Sequence, residues 1–145
     1  MILSAQSIRL RVGMIDPFSE RTYDRGLSYG LGPAGYDFRI YETVFIPPNG
    51  FTKASSVERF IIPHDIEGWI ANKSTWARRG IELFSVTKFD PGFCGWATLE
   101  IANHSIYEVK IEAGMAIGQM SFLMLDEPTE MPYNGKFQNQ PRGPQ

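Results

Sequence analysis

Residues 73–100, KSTWARRGIELFSVTKFDPGFCGWATLE, contain the clearest strand pattern of this chain and its clearest turn. Within residues 95–103, GWATLEIAN, apolar and polar side chains alternate as they do in a strand with one buried face. The Asp-Pro-Gly sequence at 90–92 is typical of a tight turn. Residues 74–80 predict a short internal helix, with Ser74 as its N-cap and a glycine just past its end. The stretch therefore predicts strands joined by tight turns around one helical turn.

The same alternation recurs along most of the chain, with turn residues about every 8–12 positions. A short N-terminal helix is predicted over residues 5–12, capped by Ser4, with Ile8 and Val12 on one face. Residues 13–32 are rich in Gly, Ser, Asp and Arg and predict a loop. Further strands are predicted at 36–41, 44–46, 55–63, 66–71, 81–84, 107–112 and 117–125. Without βαβ alternation, this pattern predicts an all-β sandwich or barrel with two short helices.

Composition narrows the class of protein. At 145 residues the chain is one domain by length, residues 1–145, and its tail, residues 126–145, is too rich in Pro, Gly, Asn and Gln for a regular element. The net charge of −2 argues against a nucleic-acid partner. No apolar run approaches the ~20 residues of a membrane span, and the first residues lack the apolar core of a signal peptide. With Cys94 as the only cysteine, we expect a soluble cytoplasmic protein without an internal disulfide.

The same counts bear on metal chemistry. A zinc-dependent nucleobase deaminase needs one histidine and two cysteines, or three cysteines, as ligands. This chain has two histidines, His64 and His104, and a single cysteine, so it can supply neither set. A cysteine-rich structural zinc site is excluded for the same reason.

Two groups of polar residues in the opening stretch suggest nucleotide chemistry. Lys73, Ser74, Thr75 and Arg78 offer cationic and hydroxyl groups near the start of the predicted helix, where phosphate binds well. Asp90 on the turn and Glu100 on the following strand offer carboxylates for activating water. Each group also has an ordinary explanation, namely an N-capped turn and a solvent-facing strand glutamate.

Five segments in this order are more specific than any one of them: AGYD (34–37), KSTWAR (73–78), FDPGFCGWATLE (89–100), GMAIGQ (114–119), and PY with KFQNQ (132–140). Together they resemble the dCTP deaminase branch of the trimeric dUTPase-like superfamily. The resemblance implies a distorted jelly-roll, or β-clip, barrel that forms a homotrimer with active sites at subunit interfaces. It also implies dCTP or dUTP as substrate, Mg²⁺ on the phosphates, and no zinc. The compact length is similar to that of viral members, for which the location would be the host cytoplasm.

The resemblance implies roles for Glu100 at the end of the third segment and for the residues of the second. Glu100 corresponds to the glutamate that deprotonates water and then protonates the leaving ammonia, a task suited to a carboxylate in a dry pocket. Ser74 and Arg78 correspond to residues that orient water and hold the tetrahedral state, although Arg78 could instead bind phosphate. Lys73 and Thr75 would join Ser74 on the triphosphate.

The remaining roles concern the sugar, the base and closure of the site. Asp90 corresponds to the aspartate that contacts the deoxyribose 3′-hydroxyl, and in diphosphatase-competent relatives it activates water toward phosphate. Backbone groups of Thr98 and Leu99 would read the base. Asp37 and Gln119 would supply further walls, and Gln119 resembles the glutamine of bifunctional, dUMP-forming deaminases. The tail would be a mobile segment that closes over substrate through three residues, namely Tyr133, Lys136 and Gln140.

Three departures from the family pattern keep other functions open. The segment between Arg78 and Asp90 is one residue shorter than is usual in deaminases and has the sequence Ser-Val-Thr-Lys at 85–88. The tail carries an extra proline. The chain also does not end in the glycine-rich motif of dUTPases. We predict a dCTP deaminase that releases dUTP or continues to dUMP. The alternatives are a dUTP diphosphatase, with Asp90 as base and Glu100 structural, and a non-catalytic nucleotide-binding trimer that regulates a partner.

Overall fold

The computed structural model describes residues 1–84 and 88–143, and strands dominate it. The helices are α1 (Ala5–Leu10) and α2 (Ser74–Ala77). The strands are β1 (Ile15–Asp16), β2 (Thr22–Asp24), β3 (Leu27–Gly32), β4 (Gly35–Arg39), β5 (Val44–Ile46), β6 (Phe51–Ile61), β7 (Ile66–Asn72), β8 (Ile81–Leu83), β9 (Lys88–Phe89), β10 (Cys94–Asn103), β11 (Val109–Ile111) and β12 (Ala116–Met124). The predicted all-β class with two short helices is confirmed.

Three antiparallel sheets make up the molecule. One has six strands in the order β2-β3-β4-β12-β7-β9, one has four in the order β1-β6-β10-β8, and β11 pairs with β5 in a two-stranded sheet. Each order has two ends, so the described sheets are open rather than closed into a barrel. The two larger sheets meet in the core, where the rings of Phe38 on β4 and Phe60 on β6 pack edge to face at 6.0 Å. Each fully buried side chain of this size contributes roughly 1.5–3 kcal/mol relative to exposure.

The predicted loop over residues 13–32 is wrong, because this segment forms strands β1, β2 and β3. Leu27 and Leu31 are buried, and β3 pairs with β4 through the register Leu31↔Tyr36. Glycines within β3 hide its alternation, and pairing with a neighbouring strand decides its structure instead.

Both helices differ from their predicted bounds. Helix α1 ends at Leu10, so Ile8 is buried while Val12 is 94% exposed and does not share its face. In α2 the N-cap is Lys73 rather than Ser74, which is the first helical residue and makes no side-chain cap. The glycine after α2, Gly80, does adopt the expected left-handed conformation, with φ +82°.

The alternation of β10 is confirmed. Ala97, Leu99 and Ile101 are buried, whereas Glu100 on the opposite face is exposed. The ladder between β10 and β6 changes register between Trp96 and Thr98, as at a β-bulge. A bulge re-aims the side chains beside it and is common next to functional sites. Strand β10 therefore belongs to the core on one face and presents polar groups on the other.

One charged pair is buried between the sheets. Glu58 on β6 is fully buried, and its carboxylate accepts hydrogen bonds from Arg39 Nε at 2.8 Å and from the Arg39 backbone N–H at 2.9 Å. Burial raises the pKa of the Glu58 carboxyl above its ordinary value, and the contacts with Arg39 oppose that rise. The pair links β4 to β6, so it ties the two large sheets together.

Candidate active site

A cleft of about 180 Å³ opens beside β9, the polar face of β10 and the C-terminal tail. Five of the predicted site residues reach it, three from residues 89–100 and two from the tail. The lining consists of Lys88, Phe89, Asp90, Phe93, Thr98, Glu100, Tyr133, Phe137 and Gln140. The cleft thus has an aromatic floor and carboxylate, hydroxyl, ammonium and amide groups on its walls.

Asp90 stands on the turn between β9 and β10. The turn is fixed by hydrogen bonds from the Phe93 N–H to the Asp90 carbonyl at 3.0 Å and from the Gly92 N–H to the Ile62 carbonyl at 2.9 Å. The Asp90 side chain is 47% exposed, and its carboxylate lies 3.2 Å from Lys88 Nζ. Hydrogen bonds to Glu67, and then to Asp90, raise the pKa of Lys88 above its ordinary value. Lys88 therefore carries a positive charge at the mouth of the cleft.

Thr98 and Glu100 project from the same face of β10 into the cleft. The side chain of Leu99 points into the core and is 1% exposed, so only its backbone is available to a ligand. Glu100 is an exposed residue. The expectation of a dry pocket around this glutamate is therefore not met within a single chain.

The C-terminal tail packs beside the cleft of its own chain, and Tyr133 and Gln140 line it. The Tyr133 N–H donates to the Pro91 carbonyl at 2.8 Å, and the Tyr133 ring packs 5.9 Å from that of Phe93. Gln140 is 8% exposed, forms a parallel bridge with Gly95, and donates from Nε2 to the Trp96 carbonyl at 2.7 Å.

Lys136, the third predicted tail residue, does not line the cleft. It is exposed, and its Nζ lies 5.3 Å from the centre of the Phe137 ring. The structure thus brings two of the three tail residues to the site.

Lys73 and Gln119 meet at a second, buried cluster. Lys73 Nζ lies 2.8 Å from Asp37 Oδ2 and donates to Ser28 Oγ at 3.2 Å, while Gln119 Nε2 donates to Asp37 Oδ1 at 2.9 Å. The side chains of Lys73 and Asp37 are only 12% and 8% exposed. The charge of Lys73 is therefore matched within the chain, and Asp37 is not the solvated residue that its place on a strand suggests.

Ser74, Thr75 and Arg78 are exposed on and just after α2, and none of them lines the cleft. Arg78 instead borders a separate depression together with Arg79 and Tyr107. The predicted site residues therefore fall into three groups on one chain. The departure at 85–88 cannot be compared in full, since residues 85–87 lie outside the described part of the chain.

Sequence reasoning missed the aromatic floor and one amide of the tail. Phe89 and Phe93 flank the Asp-Pro-Gly turn in the sequence FDPGF. An aromatic residue on each side of a turn indicates that the turn packs against the protein interior. The rings of Phe89 and Phe93 lie 5.1 Å apart. Gln138, two residues before Gln140, contacts three backbone groups of the cleft walls, which no local pattern reveals.

Two further features are absent from the described part of the chain. Across residues 1–84 and 88–143, no three His, Cys, Asp or Glu side chains are grouped so that they could hold a metal ion. In the same residues, no helix is both long and apolar enough to cross a membrane.

Comparisons with known proteins identify the family of the chain by sequence and its fold by structure. The chain is 37% identical to the dCTP deaminase of Acidobacterium capsulatum over 161 aligned residues, covering 88% of this chain and 87% of that protein. The 2′-deoxycytidine 5′-triphosphate deaminase of Agrobacterium tumefaciens superposes with a TM-score of 0.70 at 15% identity, covering 85% of this chain and 48% of that one. The EIAV dUTPase gives 0.61 at 18% identity, covering 85% and 98%. These structural likenesses confirm the predicted dUTPase-like jelly-roll. With the family model described as dCTP deaminase-like matching residues 37–125, the chain belongs to the dCTP deaminase-like family.

Proposed function

We propose that this protein hydrolyses dCTP to dUTP and ammonia without zinc. The observation that carries the proposal is the convergence of Asp90, Thr98 and Glu100 on one cleft beside Tyr133 and Gln140. These are the residues to which the family resemblance assigns sugar contact, base reading, proton transfer and closure. The substrate is the Mg²⁺ complex of the triphosphate, so the metal needs no cluster of protein carboxylates.

Glu100 is the proton carrier of the proposed reaction. Its carboxylate takes a proton from water as the water oxygen bonds to C4 of cytosine. The adduct receives that proton on N3, and its new hydroxyl then gives its own proton, through Glu100, to the amino nitrogen. The C–N bond breaks as ammonia leaves with the bonding electrons, and the hydroxyl oxygen becomes the C4 carbonyl. A positioned general base of this kind contributes about 10²–10⁴-fold in rate.

Asp90 and the tail position the substrate around this step. Asp90 accepts a hydrogen bond from the 3′-hydroxyl of the substrate and so holds the deoxyribose in the correct place. Backbone groups of Thr98 and Leu99 contact the base. Tyr133 and Gln140 close the cleft and limit access of bulk water.

Residues outside the cleft imply a shared site. Ser74 and Arg78 are exposed and do not line the cleft of their own chain, yet the reaction needs donors for the tetrahedral state. We infer a homotrimer in which α2 of a neighbouring subunit supplies these donors, with Thr75 beside them for the phosphates. Exclusion of water at such an interface would also provide the dry surroundings that Glu100 lacks in one chain.

The test is incubation of the protein with dCTP and Mg²⁺ after treatment with a zinc-selective chelator. Ammonia and dUTP are expected, and the Glu100→Gln variant should lose about 10²–10⁴-fold in kcat. If neither dUTP, dUMP nor ammonia forms, the deaminase proposal fails.

A second candidate is hydrolysis of dUTP to dUMP and diphosphate, alone or after deamination. The half-exposed carboxylate of Asp90 favours it, since this group is placed to activate water beside a triphosphate. Glu100→Gln separates the two reactions, because dUTP hydrolysis should survive the change if Asp90 is its base. Calorimetric binding of a pyrimidine triphosphate with no turnover at all would instead support a non-catalytic regulatory trimer.

A further inference from the structure

The side chain of Gln138 connects three segments of the cleft wall, although it does not line the cleft itself. Its Oε1 accepts a hydrogen bond from the Cys94 N–H at 2.9 Å. Its Nε2 donates to the Gly92 carbonyl at 2.8 Å and to the Tyr133 carbonyl at 3.0 Å. Its Oε1 also accepts from the Asn139 N–H at 3.3 Å, so both lone pairs of the amide oxygen and both N–H donors of the amide are used.

The three partners belong to the segments that carry the site. Gly92 closes the turn that bears Asp90, Cys94 begins the strand that bears Glu100, and Tyr133 starts the docked part of the tail. The turn and the tail approach closely at this point. Gly92 has φ +91°, and a Cβ there would lie 2.8 Å from Pro132 Cβ. Small shifts of the tail would therefore move the turn.

We propose that Gln138 is a positioning residue that holds the turn, β10 and the tail in one arrangement for substrate binding. The carbonyl oxygens of Gly92 and Tyr133 both accept hydrogen bonds from the amino group of Gln138. If that amino group were removed, this side chain would offer neither oxygen a donor. Gln138 acts on substrate only through Asp90 and Tyr133, so its loss should raise KM for dCTP more than it lowers kcat. This consequence for catalysis rests on the proposed deaminase function.

The Gln138→Glu variant gives a pH-dependent test. An ionised carboxylate at this position has no donor, so its oxygen would lie against the carbonyl oxygens of Gly92 and Tyr133. The protonated form has one O–H donor for them. We expect KM for dCTP to rise roughly 10- to 100-fold at pH 8, the effect of one or two lost hydrogen bonds, and to recover toward the native value as the pH falls to about 5. Gln6→Glu is the matched control, because Gln6 is exposed on α1 and undergoes the same change of charge.

Hydrogen exchange tests the positioning role without any assay of activity. In Gln138→Leu, the amides of Cys94 and Tyr133 should exchange faster than in the native protein, while the Leu3 amide, bonded to the Phe122 carbonyl far along the chain, should not change. Unchanged exchange at Cys94 and Tyr133 would overturn the proposal, as would a KM of Gln138→Glu that matches Gln6→Glu at every pH. If the native protein does not turn over dCTP, the proposed function fails while the exchange result still decides the role of Gln138.

Discussion

At the scale of single residues, the pairing of Asp37 with Lys73 changes how the phosphate-binding segment is understood. Lys73 was predicted to meet a triphosphate, but its ammonium contacts Asp37 and Ser28 in a nearly buried cluster. Removing one member of a buried ion pair leaves an uncompensated charge, which is far more costly than losing a surface pair. Lys73 therefore serves first to hold the start of α2 against β4.

This gives a prediction on stability. Asp37→Asn should lower the free energy of unfolding by about 3 kcal/mol, because the Lys73 ammonium stays buried without its carboxylate. Urea denaturation followed by fluorescence measures the change. The control is Glu20→Gln, which breaks the exposed pair with Arg9 and should leave the midpoint unchanged. Equal shifts in the two variants would mean that the Asp37 pair is no more than a surface contact.

At the scale of elements, β10 shows what alternation can and cannot predict. The buried and exposed faces of residues 95–103 follow from the sequence because the side-chain period of a strand is two. On strand period alone Asp37 would face solvent, yet it is buried, and a lysine and a glutamine from other elements contact its carboxylate. Strand β3 was missed because its glycines hide its alternation, although its partners β2 and β4 adjoin it in sequence. Gln138 was missed because Gly92 and Cys94, whose backbone groups it contacts, are distant in sequence. The positions of the turn and of the polar face of β10 were thus predictable, but the polar contacts that hold them in place were not.

Adjacent residues of β10 should separate stability from activity. Leu99→Ala should cost about 2–5 kcal/mol of unfolding free energy, because a fully buried leucine leaves a cavity when it is truncated. Glu100→Gln should leave unfolding unchanged and remove deamination, since its side chain faces the cleft. Urea denaturation and ammonia release measure the two effects on the same preparations. A marked loss of stability in Glu100→Gln would indicate that this glutamate is structural, as in the diphosphatase alternative.

At the scale of the whole molecule, the predicted site residues lie in separate places on one chain. Asp90, Thr98 and Glu100 line the cleft, whereas Ser74 and Arg78 are exposed elsewhere. The sequence resemblance implies sharing between subunits, and the proposed homotrimer would bring these separate groups together. A closed ring of identical subunits allows each α2 to face the cleft of its neighbour, because every interface in such a ring is the same.

Mixing inactive variants tests this arrangement. Glu100→Gln and Arg78→Ala should each be inactive as pure proteins, but after denaturation and refolding together at equal amounts about a quarter of the sites should pair an intact Glu100 with an intact Arg78 from the next subunit. Ammonia release from dCTP should recover to about that fraction of the native rate. Glu100→Gln mixed with Asp90→Asn is the matched control, because both residues belong to the cleft of one chain and no hybrid restores it. Recovery in neither mixture, with trimers present by light scattering, would assign Arg78 to the same subunit as Glu100 and would remove the shared site from the proposed mechanism.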